Sequence, residues 1–517
     1  MAKKSSSKPK MLICTPELMY TLDDLLLNFS MGGLAPIPSS YARELVKEGT
    51  FDVSVAVPKW ESSLRLLNNL NTKEIKKIEK VLPDNLYLIG HTSFNKAEVE
   101  GTNTRIYNDS RRFSAVDRAL AFSNGIVNTV IPKVHPDIVW LHDWMVGLVG
   151  PVANAMGIKV VATGHNPAFT KYATFDEIVK GGIEIRNFDN YTPRDSLFWE
   201  GCYIDLLATE INSADDFTTV SKEYLNTLIG EYQKYKDWKF EDIPEDALFR
   251  KAPGVLKAIG QKYNSKHEDG RPRVHGYPNP LVNEKSDFLS HLEKDGLEAT
   301  MRLKQQRSIQ IRNETGLKEG GNLIIYSNRL IPMKDPNVAI NNAVHLANVF
   351  DLRFLFLANG EDEIVNAVKR EAFRSNGLVA AHSYNKKWEE LAVRSDNVYD
   401  LMTPISEPCG NQNINHPFEG TLVIGHAIDG IKDTVHQLDW INSTGNGFPY
   451  NNNDVWDLDK AFSKMKQFAW LPDNERYIQL IRIANETQKT HSASSRTAQV
   501  LREIFIPLYE EKKREKN

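Results

Sequence analysis

Short apolar runs alternate with helical patterns along nearly the whole chain, and few architectures accept that alternation. Residues 11–15, 52–57, 85–89, 137–141, 160–163 and 217–221 read as strands in the first half, with helical stretches such as 40–47 and 112–130 between them. In the second half, 323–327, 353–358, 378–382, 397–402 and 421–424 repeat the pattern, with helices near 337–348, 361–374, 387–394 and 407–418. Strands that read as near-continuous apolar runs are buried on both faces, which is how parallel sheets covered by helices are built. A chain of 517 residues exceeds what one core organises, so two domains of roughly 200–250 residues follow. The expected fold class is α/β: two Rossmann-like, doubly wound parallel-sheet domains facing a central cleft.

Pro278-Asn279-Pro280 is the natural linker, because two prolines stiffen a segment that also lacks backbone donors. It separates an N-terminal domain (11–277) from a C-terminal one (281–485), followed by a helix and charged tail over 486–517. The basic residues 1–10 read as a disordered tail. Segment 231–273 breaks the rhythm and reads as an insertion on the first domain. It holds six aromatics (Tyr232, Tyr235, Trp238, Phe240, Phe249, Tyr263) and ten Lys or Arg against eight Asp or Glu, a net of only +2.

The composition excludes several classes. A net charge of −4 gives no global argument for nucleic acid or an anionic membrane. Cys14, Cys202 and Cys409 are the only cysteines, which is no disulfide framework and fits a reducing, cytoplasmic setting. No run approaches the ~20 apolar residues of a membrane span.

Ligands of doubly wound domains bind beyond the carboxyl ends of the strands, so polar residues just past a strand carry the most information. Gly32-Gly33 follows the first strand and precedes a helix, where glycines let backbone N–H groups approach a phosphate. His142-Asp143-Trp144 and Gly164-His165-Asn166 follow neighbouring strands. Arg329 and Lys334 follow the first strand of the second half, where two exposed cleft cations can hold one diphosphate. Glu407 opens the helical pattern 407–418, and an acid there can hold the attached sugar. Asp457-Leu458-Asp459 is a D-x-D, but it lies on a helical pattern and reads as a solvated face. No metal-ligand cluster, Walker loop or Ser/His/Asp set is present in the sequence. The ordered set points to transfer of a sugar from a nucleotide.

The same residues resemble the glycogen and starch synthase family of retaining glycosyltransferases, which have the two-Rossmann GT-B fold. Pro16-Glu17-Leu18 is similar to the family's P-E-L turn, and Ser30-Met31-Gly32-Gly33-Leu34 to its K-x-G-G-L loop, with Ser30 where the family has lysine. Asp137-Ile138-Val139-Trp140-Leu141-His142-Asp143-Trp144 resembles D-V-V-H-x-H-D-W, and His165-Asn166 and Thr219-Val220-Ser221 resemble T-x-H-N and T-V-S. Arg329 and Lys334 match the pair that binds the donor diphosphate, and Glu407-Pro408-Cys409-Gly410 is the family's E-P-C-G unchanged. Asp429 replaces a glycine of G-G-L-x-D-T-V, and Asn411, Gln412, Asn413, Asn415 and His416 make an unusually polar helix.

The resemblance implies a nucleotide-sugar donor (ADP-glucose or a UDP-sugar), no cofactor, no metal and a carbohydrate acceptor. His165, Arg329, Lys334 and Glu407 would be catalytic. Gly32, Gly33, Cys409, Gly410, Asn411 and Thr434 would bind donor, and Asp143 the acceptor. The alternatives are a hydroxylated base in DNA as acceptor, or an inactive sugar-nucleotide or glycan-binding homologue.

Overall fold

The structure, a computed structural model, describes residues 8–515 except 23–24, 29–33, 62–70, 79–81, 96–98, 101–102, 105, 108, 111 and 184–196. The chain forms two compact units. The first comprises Met1–Val220, Leu225–Pro280 and Ala493–Asn517, the second Ser221–Tyr224 and Leu281–Ser492.

The first unit is built on β1 (Lys10–Cys14), β2 (Asp52–Pro58), β3 (Leu86–Ile89), β4 (Ile138–His142), β5 (Lys159–Gly164), β6 (Asp216–Thr219) and β7 (Val274–Gly276). Their order across the sheet is β7-β6-β5-β4-β1-β2-β3, and every pairing is parallel. The second unit contains β8 (Asn322–Tyr326), β9 (Leu352–Leu357), β10 (Val379–His382), β11 (Val398–Met402), β12 (Leu422–His426) and β13 (Gly447–Tyr450). They run β10-β9-β8-β11-β12-β13, again all parallel. Both sheets therefore reverse direction of growth between their first and fourth strands, the doubly wound arrangement.

The period of two along these strands splits the second unit's core into layers. Ile324, Tyr326, Phe354, Phe356, Tyr399 and Leu401 pack on one face with the helices Pro336–Phe350 and Val455–Ala469. Leu323, Ile325, Leu355, Leu357 and Val398 pack on the other with Ile311 and Ala392. Each run read as a strand is one. Besides short antiparallel strands outside these sheets, the two parallel sheets contain two strands, β7 and β13, that escape sequence reading for physical reasons. Val274-His275-Gly276 is too short to show a pattern, and β13 carries Pro449, which argues against a strand in sequence but is accommodated at the edge of the sheet.

Segment 231–273 is not a simple insertion. Its helix Pro253–Asn264 buries Val255, Leu256 and Ile259 and leads into β7, so that part is the crossover completing the first sheet. The remainder carries the exposed rings of Trp238 and Phe240.

Candidate active site

In the second unit β8 and β11 lie side by side at the reversal point, and the crevice beyond their carboxyl ends is where open α/β sheets bind ligands. Lys334 follows β8 and Glu407 follows β11. Lys334 Nζ donates to Glu407 Oε2 at 2.5 Å, and the two residues are only 8% and 7% exposed. The turn carrying the lysine is itself clamped, since the Lys334 carbonyl accepts from Tyr326 Oη at 3.2 Å and Thr403 Oγ1 at 3.1 Å. Arg329 is exposed, and its guanidinium bonds to none of the described residues. The expectation of two exposed cations thus fails for Lys334, which the distant carboxylate draws inward.

Glu407 does not open a helix either. The helix starts only at Gln412, because Gly410 takes φ +74°, a left-handed conformation that ends a helical path. Asp429 holds the resulting loop. It sits at φ +43°, which aspartate tolerates better than most residues. Its Oδ2 accepts from Ser406 Oγ at 2.8 Å and from the Glu407 N–H at 3.1 Å. Gly430 donates its N–H to the Glu407 carbonyl at 2.9 Å. A Cβ on Gly430 would meet the Cys409 carbonyl oxygen at 2.4 Å, so the close approach requires glycine.

Asn413 Nδ2 ties the loop together by donating to Cys409 O at 3.0 Å and Thr434 Oγ1 at 2.5 Å. Thr434 donates in turn to Gly430 O at 2.8 Å, so its hydroxyl is engaged inside this knot. Cys409 and Gly410 are buried in it, and Asn411 lies half-buried at its rim. The polar helix also has its reasons. Gln412 Nε2 donates to Ser327 Oγ at 2.7 Å, and His416 Nδ1 lies 2.9 Å from Asp400 Oδ2 in the interior.

The first unit repeats the geometry. Glu17 lies just past β1 and Asp143 just past β4, the strands flanking its reversal point. His165 follows the neighbouring β5. Asp143 adopts φ +62°, ψ 166°, and its Oδ1 accepts the His165 N–H at 2.8 Å. His142 Nδ1 lies 3.0 Å from His165 Nε2, and the Tyr107 hydroxyl donates to Glu17. Burial pushes the Asp143 carboxyl up to about 7, outweighing the N–H groups of His165 and Asn166 that pull it down. Burial also holds the His165 imidazole down at about 3 and His142 well below its ordinary range. The site therefore presents neutral imidazoles beside a carboxyl that ionises near neutrality.

Glu210 lies within the same unit, fully buried, with neither oxygen bonded to a described residue. Burial, reinforced by Asp143, holds its carboxyl well above the usual range. The signal for it was present: a single charge inside the apolar helix Leu206–Ser213.

A carboxyl held up in the folded chain keeps a proton that the unfolded chain, titrating at 3.8, has already released. Asp143 therefore lowers folding stability as pH rises from about 4 to about 7. Asp143→Asn should flatten that fall in denaturant titrations taken across the range. An unchanged slope would show that the carboxyl titrates normally.

The family described as the starch synthase catalytic domain matches residues 14–238. The glycogen synthase of Clostridioides difficile (strain 630) is 23% identical over 498 residues, covering 90% of this chain and 94% of that protein. That of Thermotoga maritima is 24% identical over 475 residues, covering 85% and 89%. Among solved structures, the catalytic domain of starch synthase IV from Arabidopsis thaliana shares the fold with a TM-score of 0.68 at 15% identity, covering 98% of this chain and 99% of that one. Sucrose-phosphate synthase from Thermosynechococcus elongatus follows at TM-score 0.52 and 11% identity, covering 97% and 100%. The chain is a glycosyltransferase of the GT-B fold, similar to the glycogen and starch synthases.

For such a glycosyltransferase, each unit brings its own expected residues together: Lys334, Glu407, Cys409 and Gly410 in one, Asp143 and His165 in the other. Gly32, Gly33 and Ser30 lie outside the described residues. Among the described residues, no group of three or more His, Cys, Asp or Glu could hold a metal, and no helix is long and apolar enough to cross a membrane. Asp457 is held by Asn452 and Lys460 at the start of its helix, and Asp459 lies 3.6 Å from His345.

Proposed function

We propose that this glycosyltransferase moves glucose from a nucleoside diphosphate glucose to a hydroxyl of a glucan, with retention at the anomeric carbon. The reading is carried by the Lys334–Glu407 pair, because it joins a cation and a sugar-holding carboxylate at the reversal point of the second sheet. The bond from C1 to the diphosphate oxygen breaks, the acceptor oxygen bonds to C1, and the acceptor proton passes to the departing diphosphate. Arg329 and Lys334 would neutralise the charge growing on that leaving group, and Glu407 would accept hydrogen bonds from sugar hydroxyls. His165 would meet the sugar near the reacting carbon as a neutral imidazole, adding no positive charge beside a centre that becomes cationic. Asp143 would shape the acceptor side.

A glucan is favoured by the glycogen synthase relatives and by the starch synthase IV domain, which is bound to ADP and acarbose. The DNA alternative lacks support. Within residues 234–251 the cations Lys234, Lys236, Lys239, Arg250 and Lys251 are balanced by Asp237, Glu241, Asp242, Glu245 and Asp246, whereas a duplex surface concentrates positive charge.

The test supplies ADP-glucose or UDP-glucose with glycogen, maltooligosaccharide or hydroxymethylated DNA, and follows both label transfer and release of nucleoside diphosphate. Transfer to glucan from one of these donors is expected. Label in DNA with none in glucan, or no turnover of either donor, overturns the reading. Chelator should leave the rate unchanged, because Arg329 and Lys334 supply the counter-charge. Loss of activity restored by magnesium would show otherwise.

A further inference from the structure

We infer that His142 is a positioning residue that sets the tautomer of His165, giving His165 a proton on Nδ1 with which to meet its substrate. The inference rests on the reading above that His165 faces the sugar. His142 is fully buried, and its ring packs on Trp140 with centroids 4.7 Å apart. Trp140 is anchored through its indole N–H to Thr163 Oγ1 at 2.7 Å, and Thr163 Oγ1 lies 2.6 Å from Thr218 Oγ1. This scaffold fixes the plane of the His142 ring and leaves it one polar contact among the described residues, His165 Nε2 at 3.0 Å from its Nδ1.

Both imidazoles are neutral, so each carries one proton and one of the two facing nitrogens must donate. His142 Nε2 is buried without a partner among the described residues. If His165 Nε2 donated, the single proton of His142 would be forced onto that nitrogen as a stranded N–H, and buried unpaired N–H groups are rare in folded proteins. If His142 Nδ1 donates, only a bare lone pair is stranded. His165 then accepts at Nε2 and must carry its proton on Nδ1. That nitrogen bonds to no described residue and belongs to a half-buried ring, so it is available as a donor. The His165 backbone is pinned independently through its N–H on Asp143, so backbone and ring are oriented by two consecutive residues of one strand end.

Neutron diffraction from the deuterated wild-type protein should show deuterium on Nδ1 of both histidines and none on His142 Nε2. Deuterium on His165 Nε2 would overturn the assignment, whatever the activity proves to be. Kinetics supply the second arm. His142→Asn, whose amide can donate from the place of Nδ1, should keep kcat within a few-fold. His142→Phe should lose ~10-fold or more in kcat with little change in the donor KM, as for other residues that orient a reacting group. Equal losses in both variants would overturn the orienting role. Full activity in His165→Ala would remove the underlying reading of His165 while leaving the deuterium result standing, so the two failures are separable.

Discussion

Lys334→Ala should lower kcat/KM by at least about 10²-fold, the loss of a charge-stabilising contact worth ~3 kcal/mol. It should also lower Tm, because the substitution leaves the Glu407 carboxylate buried without its cation at 2.5 Å. Removing one partner of a buried pair typically costs about 3–5 kcal/mol. Arg329→Ala provides the contrast. Its side chain is exposed, so kcat/KM should fall comparably while Tm stays within error. Steady-state kinetics and thermal melts on the two variants decide the matter. Near wild-type kinetics in both would remove these cations from the reaction, and an unchanged Tm in Lys334→Ala would show that the pair contributes nothing to folding.

Replacing Asp143 should separate stability from activity. At φ +62°, ψ 166° the residue occupies backbone space that is nearly glycine's alone. Asp143→Gly and Asp143→Ala both delete the acceptor of the His165 N–H and should both lose at least about 10²-fold in kcat/KM, as misplacement of a site group can cost. The glycine variant should nevertheless be more stable than the alanine variant by about 1–3 kcal/mol, since it relieves the strained conformation and alanine retains it. Chemical denaturation measures the difference. Equal stabilities would mean that the backbone relaxes freely at this position and stores no strain for the site.

Much of the architecture was legible because its signals are local. A buried strand in a parallel sheet must be apolar along its own length, and a covering helix must show its own period, so each element announces itself within a few residues. Gly410 and Gly430 were legible for the same reason, as residues of short motifs. The state of the side chains was not. Lys334 and Glu407 are separated by 73 positions, and nothing near either one indicates that they pair in the interior rather than face solvent. Asp429 stood out as a departure from glycine, but its task of holding Ser406 and the Glu407 N–H depends on two loops meeting. His142 and Glu210 are further cases. The identity of a histidine or glutamate says nothing of its charge until packing decides how much water reaches it, and burial here shifts both towards the neutral form. Local pattern specifies which elements form, because it acts through the chain's own period. Charge, partner and exposure belong to contacts between distant segments, and those exist only once the sheets have assembled.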